Sequence, residues 1–179
     1  MKTALNHTLS IICVLFSGYL QAQKTGSKNA AVTLPIITLM DIEPAGTITL
    51  SFIAPAEAGR ALVNPAANTT KWINYTSAIV SGGVSRKITA SVNKLIPGVN
   101  IQLQAAPVSG SGSGTLGTTA GLVTLTTTPV TIISGIGGAY TGNGINNGHQ
   151  LTISLVPNNY SNLSAQSNNP VIITYTITE

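Results

Sequence analysis

Charge is what this chain most lacks. Its 179 residues carry 8 basic and 4 acidic side chains, and from residue 95 to residue 178 there is no Asp, Glu, Lys or Arg. Solubility must therefore rest on Thr, Ser, Asn and Gln. The pI near 9.4 reflects a small surplus on an almost uncharged chain, and Arg86-Lys87 is the one adjacent basic pair. Phosphate backbones are bound by clustered Lys and Arg, so no nucleic-acid partner is expected.

Cysteine is almost absent too. Cys13 is the single one, inside an apolar stretch, and "SII" before it lacks the small residues of a lipoprotein site. Without disulfides the fold must be held by its core alone. Acid–base and metal chemistry also lack their residues. Beyond the first two dozen positions there is one histidine, His149, and the carboxylates are Asp41, Glu43, Glu57 and Glu179. Asp41 and Glu43 lie two apart but precede Pro44 and Gly46, which reads as a solvated turn. His149 has no second ligand nearby in sequence, and the Asn- and Gly-rich loop 142–148 has no carboxylate to hold calcium. No enzyme, no cofactor and no metal site is expected.

What is present begins with a short polar start, Lys2 and His7, then "TLSIICVLFSGYL" (residues 8–20) and "QAQK". An apolar stretch of this length is short for a bilayer span, and its layout is that of a secretory signal peptide. Residues 1–23 are therefore expected to be removed on export, which leaves no membrane span. The remainder is enough for one core-bearing domain.

Strand signals fill that remainder. "GTITLSFIA" (46–54), "VNIQLQA" (99–105) and "HQLTISLV" (149–156) alternate apolar and polar residues, the period of a sheet with one face buried. Residues 72–80, 86–92, 121–128 and 130–136 are less regular strand candidates. Turn formers separate them, and "SGSGSGTLG" (109–117) reads as a long hairpin loop. No helical period persists beyond two turns. The pattern predicts an all-β sandwich or barrel.

The two ends differ from the middle. "AVTLPIITL" (31–39) puts Val32, Leu34 and Ile36 on one face, while Pro35 removes a ladder donor on the other side, which suits an edge. "NNPVIITYTITE" (168–179) alternates throughout, with Val171, Ile173, Tyr175 and Ile177 on one side. Residues 31–39 either join their own sheet or fill a gap in another copy. Among the aromatics, Trp72 and Tyr75 lie three apart, so on one strand they face opposite sides and at least one belongs to the core. A glycan platform using Trp72 or Tyr75, on a secreted monomeric carbohydrate-binding or adhesive module, is the alternative reading.

The segments "AAVTLPIITLMDIEPAGTITLSF" (30–52) and "GGAYTGNG", "HQLTISLVPNNYSNL" and "NPVIITYTI" (137–144, 149–163, 169–177) resemble the donor-strand region and last strands of chaperone–usher fimbrial subunits. That resemblance implies an immunoglobulin-like, Greek-key β-sandwich over residues 46–179. Before it comes an N-terminal extension, residues 24–45, whose Val32, Leu34 and Ile36 fill a groove in the next subunit. The groove would be lined partly by Val171, Ile173, Tyr175 and Ile177. It further implies passage through the periplasm to the cell surface, with a periplasmic chaperone, an outer-membrane usher and other copies as partners, and a structural role in a filament that contributes to adhesion.

Overall fold

The computed structural model describes residues 25–167 and 169–179. The predicted signal segment, residues 1–23, lies outside the described residues. Residues 25–34 carry no regular secondary structure and are exposed throughout. The compact body runs from residue 35 to residue 179.

The body is all-β. Nine strands form one antiparallel sheet: β1 Ile37–Glu43, β2 Asn68–Ala78, β3 Arg86–Val92, β4 Val99–Ala105, β5 Ser113–Thr119, β6 Leu122–Thr124, β7 Val130–Tyr140, β8 His149–Pro157 and β9 Ile173–Thr178. The order is β6-β4-β8-β2-β7-β3-β9, with β1 on β2 and β5 on β7. A 3-10 turn, Tyr160–Asn162, interrupts the connection to β9.

Alternation explains which face is buried. In β2 the odd residues Lys71, Ile73, Tyr75 and Ser77 are buried; in β3 the even residues Arg86, Ile88, Ala90 and Val92 are buried. Inward residues of β4 and β8 (Ile101, Leu103, Leu151, Ile153) share one core with those of β3 and β7 (Ile88, Ile132, Ile133, Ile136). A sheet whose distant strands meet in one core must curl around it. Two strands of 11 residues make the turn. β2 pairs β8 through its first half and β7 through its second.

Three stretches differ from the sequence reading. Residues 46–54, one of the regular alternating segments, form no ladder strand. Ile48, Leu50 and Phe52 are half-buried as the pattern predicts, but only Ile53 pairs, with Val63. Side-chain alternation records a buried face and says nothing about a neighbouring backbone. Within 31–39, residues 37–39 open β1 and pair with β2, so the sheet includes residues 37–43 of the stretch assigned above to the extension. The expected hairpin loop 109–117 contains the start of β5, hydrogen-bonded to β7. Its glycines serve close backbone approach: a Cβ at Gly114, where φ is +96°, would lie 2.2 Å from the Gly138 carbonyl.

Because the core is shared by both halves of the sheet, truncating it should be costly. Leu151→Ala, at a fully buried site, is expected to lower stability by about 3 kcal/mol in a urea melt.

A groove along the open edge of the last strand

β9 pairs with β3 on one side only, in unbroken register from Val92↔Ile173 to Lys87↔Thr178. The phase of its backbone follows from the residue just before it. The Asn93 N–H donates to the Ile172 carbonyl (3.1 Å), and the Ile172 N–H donates to Asn93 Oδ1 (2.8 Å). Ile172 therefore points its backbone groups towards β3. Directions alternate along an antiparallel strand, so Thr174, Thr176 and Thr178 do the same. Ile173, Tyr175 and Ile177 point their N–H and C=O groups outward, across the open edge. Among the described residues nothing bonds to them there.

The side chains of these same residues turn inward, and those of Ile173 and Tyr175 line an opening of about 820 Å³. Its walls are residues 44–51 on one side and residues 169–173 with Tyr175 on the other. Its floor includes Ile101, Ile153 and Leu155. Ile101 and Ile153 belong to the core, so the groove reaches the hydrophobic interior where the sheet does not close. Burial pushes the Tyr175 hydroxyl pKa up.

Lys71 shapes the first wall. It is buried, and Nζ donates to the carbonyls of Pro44 (2.6 Å) and Gly46 (2.8 Å). β1 ends at Glu43 because Pro44 has no N–H to give the ladder. Lys71 then holds the chain as it leaves. Residues 47–52 make no backbone hydrogen bonds within the described chain, so the groove has an unpaired backbone on both walls.

Of the expected acceptor residues, Val171, Ile173 and Tyr175 line the groove, and Ile177 packs against the core further along the strand. The expected donor residues Val32, Leu34 and Ile36 are 89, 80 and 64 % exposed. Trp72 and Tyr75 form no common platform. Trp72 is half-buried on the outer face of β2, whereas Tyr75 is in the core, its hydroxyl donating to the Leu116 carbonyl and its oxygen 3.1 Å from His149 Nε2. Tyr75 thus has no face to offer a sugar.

The buried polar groups are the residues that sequence reasoning missed. Their signal was available: Lys71 and Arg86 occupy inward positions of alternating runs. Arg86 donates to the Ile37 carbonyl (2.7 Å) and Ser77 Oγ (2.9 Å), and lies 3.5 Å from the Glu179 carboxylate. It secures the start of β1 beside the end of β2. His149 stacks on Tyr75, ring centroids 5.9 Å apart, with Nδ1 2.8 Å from the Ala106 carbonyl. That carbonyl can only accept, so Nδ1 carries the proton. Among the described residues no three His, Cys, Asp or Glu side chains gather, and His149 is not grouped with Asp41, Glu43 or Glu57.

No family model, no curated protein and no solved structure matches the chain.

Two measurements test this geometry. Lys71→Met keeps the aliphatic stem and removes both hydrogen bonds. It should cost about 2 kcal/mol and speed limited proteolysis within residues 44–52. For His149, burial lowers the pKa below its ordinary 6.5, against the raising effect of hydrogen bonds to the Ala106 and Leu116 carbonyls. The unfolded chain then binds more protons below pH 6.5. Stability should be constant above that pH and fall by up to about 1.4 kcal/mol per unit as pH drops towards the folded pKa. In urea melts at several pH values, His149→Gln should remove this slope.

Proposed function

We propose that the protein is a structural subunit of an extracellular filament, joined copy to copy by donation of a strand, and contributing to adhesion. The observation that carries this reading is the groove along β9, open to the core and flanked by unpaired backbone. The body is read as an immunoglobulin-like sandwich lacking one strand, and residues 27–36 of another copy are the missing strand. Export, a periplasmic chaperone and an outer-membrane usher belong to the same reading through the resemblance of residues 30–52 and 137–177 to fimbrial subunits.

Magnitudes favour it. Burying Val32, Leu34 and Ile36, exposed within one copy, is worth roughly 5–9 kcal/mol before association entropy is subtracted. Ladder bonds to Ile173, Tyr175 and Ile177 add to this and satisfy backbone groups that otherwise depend on water. A tail of one copy in the groove of the next is a head-to-tail contact that need not close, and repetition without closure gives a filament.

Full-length protein should therefore run as a heat-sensitive ladder on SDS gels loaded without boiling. Leu34→Asp, which places a charge on the tail without touching the core, should reduce the ladder more than tenfold, since an unpaired charge in an apolar groove costs several kcal/mol. A synthetic peptide of residues 27–38 should cap the wild-type ladder. A folded monomer with no ladder sinks the proposal.

A further inference from the structure

The chain's one tryptophan, Trp72, lies on the outer face of the sheet. In an antiparallel sheet, residues directly opposite one another carry their side chains on the same face. Register sets Glu43 of β1 opposite Trp72 on one side and Gln150 of β8 opposite it on the other. The three half-buried side chains thus form a row across β1, β2 and β8, at strand spacings of about 5 Å. The next outward residue of β2, Asn74, is buried. Its Nδ2 donates to the Asn147 carbonyl (2.7 Å), and its Oδ1 accepts from the Gly144 N–H (2.8 Å). The loop 142–148 is thereby held over Asn74 and stands as a wall along one side of the row.

The polar groups of this row are acceptors. Gln150 Nε2 donates to the Thr69 carbonyl (2.8 Å), so the amide presents its oxygen. Among the described residues Glu43 makes no ion pair. Asp41, the outward residue before it on β1, folds back on its own strand, with Oδ1 accepting from the Ile42 N–H (2.7 Å). β2, β4 and β8 turn only Asn, Gln, Ser, Thr, Ala, Val and Trp72 to this face, so no cation balances Glu43 there. The net charge of the chain is +4, yet this face is acidic. A planar cation answers all three groups. A guanidinium stacks on an indole, gives paired N–H groups to a carboxylate and keeps others for an amide oxygen, whereas an ammonium has no plane to stack. We propose that Glu43, Trp72 and Gln150 form a binding site for an arginine side chain of a partner polypeptide. The site does not depend on strand donation.

With one tryptophan in the chain, its fluorescence reports this site and no other. Full-length protein is titrated with the peptide acetyl-Gly-Arg-Gly-amide, with the same peptide carrying citrulline or lysine in place of arginine, and with maltotriose. Citrulline keeps the shape of arginine and removes its charge. The arginine peptide is expected to change the Trp72 emission with an affinity at least about fivefold above the citrulline peptide and about threefold above the lysine peptide. Glu43→Gln, which keeps the shape of the side chain, should bring the arginine peptide down to the citrulline level. Equal affinities for the arginine and citrulline peptides overturn the proposal, and that comparison needs no variant. Lysine binding as tightly as arginine overturns it too, because the plane of the guanidinium then plays no part. A response to maltotriose without one to arginine replaces it with a sugar site. Undiminished binding by Glu43→Gln, or no response to any of the four probes, also overturns it.

Discussion

The unpaired edge of β9 is the constraint from which the rest of the molecule is best understood. A curled sheet whose two halves share one core must either close, cap its last strand or leave the interior reachable along that edge. Among the described residues the order ends at β9, and Ile101 and Ile153 serve both the core and the groove floor. The opening is therefore a gap in the core, and whatever fills it also completes the fold. Water can satisfy the outward N–H and C=O groups of Ile173, Tyr175 and Ile177, but it cannot cover the apolar side chains beneath them.

Scarcity of charge decides how the buried cations are held. With four carboxylates in the whole chain, Lys71 has no acidic partner and Arg86 has only the exposed Glu179 at 3.5 Å. Backbone carbonyls take their place: Pro44 and Gly46 for Lys71, Ile37 for Arg86. A buried cation so satisfied fixes main chain to main chain, whereas an ion pair would fix only side chains. Both do this where the chain enters or leaves β1. The two cations thereby set where the tail departs and where residues 46–52 begin to border the groove.

Much of this was legible in the sequence. Alternation marked β4, β8 and β9, and it put Val171, Ile173, Tyr175 and Ile177 on one side of the last strand, because one-sided burial writes a period of two directly into residue type. Pairing is not written there. Residues 46–54 alternate as well as any strand yet stay unpaired over most of their length, since the period is the same whether or not another backbone lies alongside. "SGSGSGTLG" misled in the opposite direction. Glycine is used there to let β5 approach β7 closely, and composition alone cannot separate that use from a flexible link. Lys71 and Arg86 were passed over, although a basic residue at an inward position is a local inconsistency of the kind that marks a site with a specific partner.

The same mismatch between strand-quality sequence and strand pairing argues for assembly. Exposed edges are usually blunted by lysine, proline or a bulge. β9 has none of these over Ile173–Thr178, and its register against β3 is unbroken. An unprotected apolar edge is either an aggregation hazard or a binding surface. Here it lies beside a groove with a second unpaired wall, and the chain's one proline between residues 30 and 40, Pro35, sits in the exposed apolar tail. Protection placed on the tail, with the edge left bare, is the arrangement that the proposed strand donation calls for.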